Sequence, residues 1–264
     1  MRIQPSLFSL VSLSTLPSLI SASGFDCAHL NPDGVKYNLS PLGGTHSIYH
    51  VEEQDQYVVN TTYVLNICNI LKGAANRGPL KCGTSKNSTY SLIFSLSCLF
   101  LNGANHVVCG FEYKNAIDGS ESETRAFPIV GLDPVGHGSK DPEITRLKKM
   151  DSDREGLLVK LWGGQYIDDK KAKKDAGAEI EFQCDPTRSG LEGVVENEDT
   201  QMETMDNNGT DSGSLQFKSF GPAGDNAYVL KLDWKTRYAC DDYLGSKKGD
   251  SSGHWGFFTW FIVM

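Results

Sequence analysis

The chain has 264 residues, a formal net charge of −8 and 39% hydrophobic residues. The balance is acidic and no dense Lys/Arg cluster marks a nucleic-acid-binding face, which argues against a nucleic-acid partner. Seven cysteines without a CxxC pair argue against a zinc ribbon or a thioredoxin-type motif.

In chain order, the first element is a leader. Arg2 supplies a basic start, Leu7 to Ile20 an apolar run softened by serines and Pro17, and Ser21, Ala22, Ser23 and Gly24 a small-residue finish. That is the anatomy of a secretory signal peptide over residues 1–23, too short to span a bilayer. A buried N-terminal strand would need neither the basic start nor the small-residue finish. The widely spaced Cys27, Cys68, Cys82, Cys98, Cys109, Cys184 and Cys240 then read as disulfides closing long loops in an oxidising compartment, with one left over. Sequons at Asn38, Asn60, Asn87 and Asn208 agree with that compartment. Pro41 makes Asn38 a poor acceptor, so Asn60, Asn87 and Asn208 are the expected glycosylation sites, Asn60 first among them.

Leader removal leaves about 240 residues, room for one large or two small domains of ~100–200 residues each. Runs of alternating or β-branched residues bounded by Gly, Pro, Asn and Asp predict strands at His46–Val51, Tyr57–Ile67, Val107–Tyr113, Arg125–Val130, Gly156–Trp162, Ala178–Cys184 and Ala227–Thr236. The last is clearest: Tyr228, Leu230, Leu232 and Trp234 alternate with Val229, Lys231, Asp233 and Lys235, so one face is buried. The pattern predicts an all-β sandwich or flattened barrel. Lys170, Lys171, Lys173 and Lys174 follow two aspartates and read as a solvated turn. The acidic, Asn/Gly/Ser-rich stretch Glu192–Asp211 reads as a mobile loop.

Two stretches break the pattern. Gly83–His106 has an apolar centre and carries the odd Cys98. It reads as an insertion, or as an intron carried into the reading frame, against the alternative of a buried strand. Removing it leaves six cysteines and brings Cys82 close to Cys109. After a polar linker, 243–253, the chain ends in the aromatic run His254–Met264. About 20 apolar residues are needed to cross a bilayer, so this reads as the start of a truncated transmembrane segment, the aromatics at the headgroup level. The alternative is a terminal aromatic strand.

Motifs for chemistry are weak. Gly249-Asp250-Ser251-Ser252-Gly253 satisfies G-x-S-x-G but lies in a Lys/Ser/Gly linker, without the strand–turn–helix that exposes a nucleophile. His46 and His50 would be metal ligands on a helix. On a strand they stand about 13 Å apart at ~3.3 Å per residue, and read as solvated or core histidines. No phosphate loop, cofactor motif or metal motif is present, so the chain reads as non-enzymatic.

Five pieces together resemble a known family: FDCAHLNPDGVKYNLSPLGG (Phe25–Gly44), YVLNIC (Tyr63–Cys68), ITRLKKMDSDREGLLVKLWGGQY (Ile144–Tyr166), YVLKLDWKTRYACDD (Tyr228–Asp242) and HWGFFTWFIV (His254–Val263). They resemble the fungal autophagy-related protein 27 family, type I membrane proteins with a luminal mannose-6-phosphate-receptor-homology domain. The resemblance covers the mature chain except Gly83–His106. It implies a disulfide-bonded, flattened β-barrel of two crossing antiparallel sheets over residues 24–242, with 83–106 inserted. It implies bridges Cys27 with Cys68, Cys82 with Cys109 and Cys184 with Cys240. It implies a role in autophagy and cytoplasm-to-vacuole transport, assisting the cycling of a multispanning autophagy membrane protein between Golgi, vesicles and the autophagosome assembly site. A link to phosphatidylinositol 3-phosphate comes only with the family, and a luminal domain does not touch that cytosolic lipid.

Relatives of the domain are lectins, so a glycan-binding sorting receptor is the alternative reading. Mannose-6-phosphate binders use a Gln, an Arg, a Glu and a Tyr. Here no Gln lies between Gln56 and Gln165, and no Arg between Arg154 and Arg188. Counting back from Cys240, Leu230 takes the Tyr position, with Tyr228 one rung away. The Glu could be any of several in the acidic loop. An apolar residue cannot replace a sugar-bonding hydroxyl, and unpaired partners would cost ~1–3 kcal/mol, which argues against mannose 6-phosphate.

Overall fold

The computed structural model describes residues 25–82, 106–131, 142–194 and 213–244. Each predicted strand is present, most of them longer than the pattern indicates. The first layer is a meander of β1 (His46–Glu53), β2 (Tyr57–Leu65), β5 (His106–Ala116) and β6 (Ser122–Gly131), antiparallel throughout. Its β2 shows little alternation from Thr61 to Leu65, where both faces of the strand are covered. On the outside, the segment Leu71–Cys82, with the short hairpin β3 (Asn76–Arg77) and β4 (Leu80–Lys81), packs on Val64, Cys109 and Phe111.

The second layer contains β7 (Glu143–Arg146), β8 (Gly156–Ile167), β9 (Lys173–Cys184), β10 (Leu215–Ala223) and β11 (Ala227–Thr236). The path from first to last strand is β1-β2-β5-β6-β8-β9-β11-β10, with β7 on β8. Among the described residues β9 and β11 form the one parallel pair in an otherwise antiparallel sheet. Strands β7 and β10 lie outside the sequence expectation. One is only four residues long and ends in Arg146; the other contains Gly221-Pro222 and a bulge after Phe217.

The layers join where β6 meets β8, through the single pair Val130↔Gly163. The backbones nearly touch there. A Cβ on Gly164 would sit 2.3 Å from the carbonyl oxygens of Pro128 and Ile129, and Gly163 has φ +107 beside a bulge in β8. Only glycine fits both demands. At the opposite side β1 and β10 face each other, and side chains close the barrel: His50 stacks on Phe217 with ring centroids 4.0 Å apart.

Between the layers lie Leu65, Val108, Ile129, Leu157, Val159, Ile180, Phe182, Leu230, Leu232 and Trp234, all buried. The Trp234 indole N–H donates to the Gly190 carbonyl at 2.7 Å, as a buried Trp requires. Val229 departs from the alternation: it is buried on the outer face, opposite Gly177, whose missing Cβ makes room for the Trp162 ring.

Phe25, Leu30, Tyr37, Leu39 and Leu42 also belong to this core, brought in by the N-terminal segment. The cysteines pair as Cys27–Cys68, Cys82–Cys109 and Cys184–Cys240, with Cα–Cα distances of 5.5, 6.1 and 4.6 Å. These are the pairs the resemblance implies. Cys98, the leader and the aromatic C-terminus lie outside the described residues. Among the described residues no helix is long and apolar enough to cross a membrane.

Candidate functional site

The residues at which a sugar site is sought separate in the structure. Leu230 is fully buried between the layers. Tyr228, two residues earlier on β11, packs its ring 4.4 Å from Tyr166 and 5.8 Å from Phe220. Strand β9 carries no arginine, but β6 brings Arg125 to the same ring cluster, with the guanidinium 4.8 Å from the Tyr166 ring.

Arg125 and Glu112 are direct cross-strand partners on β6 and β5. The guanidinium donates from Nε and Nη2 to the two carboxylate oxygens of Glu112 at 2.8 and 2.9 Å. It also donates to the Tyr166 hydroxyl and, at 3.1 Å, to the Ile167 carbonyl. The side chains are 30% and 15% exposed, so the pair sits at the rim of the barrel interior. Rings of Tyr63, Phe127, Tyr166, Phe217, Phe220 and Tyr228 line the inside.

Burial works against the Arg125 charge, but the bonds and charge of Glu112 outweigh it and raise its pKa. Burial pushes the Tyr166 phenol up to about 12, with the Arg125 charge opposing and Glu112 assisting. Burial, and then the Glu112 charge, also push Tyr63 above the usual phenol range. The cluster is thus a hydrogen-bonded plug in which Arg125 stays charged and the Tyr63 and Tyr166 phenols stay neutral near neutral pH.

A second network ties the end of the domain together. Asp241, next to Cys240, accepts from the Tyr37 hydroxyl, from Arg146 and, at 2.8 Å, from Lys148. Its backbone N–H donates to Glu155 at 2.5 Å. Burial would raise the Asp241 pKa, but Lys148, Tyr37 and Arg146 lower it. The N-terminal segment, β7 and the residues before β8 thereby hold the chain where it leaves the last disulfide. Glu155, Cys184 and Cys240 are the group of potential metal ligands that converges among the described residues, but the sulfurs form a disulfide and offer no thiolate.

The stretch read as a mobile loop begins on a fixed residue, which corrects that reading at its first position. Glu192 accepts from Ser189 N–H at 2.6 Å, Ser189 Oγ at 2.7 Å, Gly190 N–H at 2.9 Å and Ser214 Oγ at 2.5 Å. Burial opposes the charged form, but these bonds hold the carboxyl well below the usual carboxylate range. Glu192 therefore clasps Ser214 across residues 195–212, which lie outside the described residues.

The remaining sequence candidates fall as follows. His46 is buried, donates from Nε2 to the Leu42 carbonyl at 2.9 Å and meets the Trp234 ring edge-on. His50 stacks on Phe217, so the two serve the core and the seam between the layers. Lys171 is in the left-handed region (φ +60) of the β8–β9 turn, where Asp168 Oδ1 accepts the Ala172 N–H at 2.8 Å. Asn60 lies on the outer face of β2, half-buried. Asn87, Asn208 and Ser251 lie outside the described residues. Sequence reasoning missed Arg125, Glu112, Tyr166, Asp241 and Glu192. The one available signal was opposite charge at Glu112 and Arg125 on consecutive strands, and it needs the register to be read.

A family model described as Autophagy-related protein 27 matches residues 10–90 and 102–264. The unmatched residues 91–101 fall inside Gly83–His106. Two proteins named Autophagy-related protein 27 are similar to the chain. That of Arthroderma benhamiae is 31% identical over 277 residues, covering 97% of this chain and 80% of its own length. That of Gibberella zeae is 30% identical over 312 residues, covering 99% and 81%.

Proposed function

The chain belongs to the Autophagy-related protein 27 family, and from that premise we propose that it is a membrane-anchored trafficking protein of autophagy and cytoplasm-to-vacuole transport. Its domain, residues 24–242, faces the lumen of Golgi, cytoplasmic vesicles and the autophagosome assembly site, and the protein assists the cycling of other autophagy membrane proteins. The family match along nearly the whole chain carries this reading. Three disulfides support a luminal domain, since such bridges persist in oxidising compartments. The leader at 1–23 and the apolar run at 254–264 support an anchored, type I arrangement. The role is non-catalytic: the domain is a scaffold that binds protein partners, and any phosphatidylinositol 3-phosphate dependence acts across the membrane.

The test is complementation. The full protein is returned to a fungal cell lacking its family member, and the distribution of a tagged multispanning autophagy membrane protein is followed. Restored cycling is expected, together with a domain protected from protease in sealed vesicles. A domain digested without detergent, or cycling unchanged by the deletion, would sink the proposal.

A lectin reading draws on the barrel-end cluster, where aromatic rings and an Arg–Glu pair offer the groups that sugars stack on and bond to. A glycan array probed with the purified domain separates the two; sugar-inhibitable binding would favour the lectin.

A further inference from the structure

We infer that Asn60 carries an N-linked glycan and that this glycan covers the apolar outer face of the edge strand β1; the inference rests on the luminal reading above. Asn60-Thr61-Thr62 is an acceptor triplet. The fold splits its residues between faces: Thr61 turns into the barrel, opposite Glu112, and Asn60 turns outward. Register places Val51 directly beside Asn60 on β1 and Tyr113 directly beside it on β5. The next row outward holds Tyr49, Thr62 and Phe111, over which Arg77 lies with its guanidinium 6.0 Å from Tyr49 and 5.7 Å from Phe111. The outer cluster under Leu71–Cys82 reaches Tyr113 on the β5 side of the Asn60 row and leaves Val51 on the β1 side open.

What lies uncovered is apolar. Val51 is 45% exposed and Tyr49 40% exposed, both on a strand whose outer edge has no ladder partner among the described residues. An exposed apolar edge strand invites pairing with other chains. The opposite edge strand, β10, carries a bulge, Lys218 and Pro222, the usual defences. Strand β1 has none of these and turns acidic only at Glu52 and Glu53. A bulky, soluble glycan on the neighbouring position of the same face supplies the missing defence. Among the other acceptors, Asn38 already accepts the Ser40 N–H at 2.9 Å and is followed by Ser40-Pro41.

The chemistry fixes the order of events. The Asn60 carboxamide nitrogen bonds to the anomeric carbon of a lipid-pyrophosphate-linked oligosaccharide. The carbon–oxygen bond to pyrophosphate breaks, the lipid pyrophosphate leaves with the electron pair, and the amide proton passes to a base of the transferase. The transferase must reach the Thr62 hydroxyl, and Thr62 is only 3% exposed once folded. The sugar is therefore added before β2 joins its neighbours.

The test uses the full protein made in a fungal secretory pathway. Glycosidase treatment should remove a mobility increment that is absent from both N60Q and T62V; the valine keeps the buried shape and removes only the hydroxyl. Mass spectrometry of the glycosidase-treated peptide should show Asn60 converted to Asp, whether or not a variant folds well. Native removal of the glycan should raise the self-associated fraction, and Tyr49→Thr with Val51→Thr should return it to the glycosylated level. Sugar on Asn87 or Asn208 with none on Asn60 overturns the inference and leaves the luminal reading standing. No sugar on any acceptor, with the six paired cysteines found as thiols, overturns both. A glycan on Asn60 whose removal leaves self-association unchanged overturns the covering role.

Discussion

Arg125 and Glu112 show what a single cross-strand pair does at the rim of a barrel. Each is charged and partly withdrawn from water, so each depends on the other. Arg125→Met leaves the Glu112 carboxylate unpaired and should cost about 2–3 kcal/mol, the range for a charged hydrogen-bonding group left without its partner. Replacing both by apolar residues should cost less than the sum of the single changes. Urea unfolding of the four proteins in a double-mutant cycle reads the coupling directly; additive losses would mean that the pair contributes nothing specific.

Titration acts at the same scale. The Glu192 and Asp241 pKa values are both depressed in the fold. Their stabilisation is fully present above the unfolded carboxylate values of about 4 and is lost as pH falls below them towards the folded values. Tyr166 runs the other way, raised from 10.0 to about 12. Its contribution holds below pH 10 and is lost as pH rises from 10 towards 12. A thermal-stability profile should therefore fall at both ends. Glu192→Gln should flatten the acid limb, and Tyr166→Phe the alkaline limb.

At the scale of elements, the crossing of β6 and β8 is a point of very close backbone approach. The two layers share one pair, and Gly163-Gly164 lets the backbones approach. Gly164→Ala places a methyl 2.3 Å from two backbone oxygens, which no rotamer can relieve. We expect a loss of about 1–3 kcal/mol, as for overpacking elsewhere, seen as a lower urea midpoint at unchanged slope. An unaffected midpoint would mean that the layers part easily at this joint.

For the whole molecule, the bridges close stretches of 41, 27 and 56 residues and lie at different parts of the barrel. Removing a native bridge from a small secreted domain typically costs ~2–5 kcal/mol. Mild reductant should therefore unfold the domain at a temperature well below its oxidised midpoint. Equal melting with and without reductant would show that the core alone suffices. Cys184–Cys240 should matter most to whatever follows the domain, because Asp241 beside it anchors the exit of the chain through Arg146, Lys148 and Tyr37.

The sequence by itself determined the class and the strands that alternate. Leu230, Leu232 and Trp234 announce a buried face because side chains on a strand repeat every two residues, a local property. Seven predicted strands and the widely spaced cysteines followed from such local signals, and the family followed from order and spacing. The tertiary structure decided what depends on contact between distant segments. It decided the burial of the second half of β2 on both faces, the parallel pairing of β9 with β11, and the short or Pro-containing β7 and β10. It also decided the meeting of Glu112 with Arg125 and Tyr166, and of Asp241 with Tyr37 across 204 residues. A charge in a sequence carries no record of its partner. Only register and closure of the barrel say which face it occupies and what it meets there.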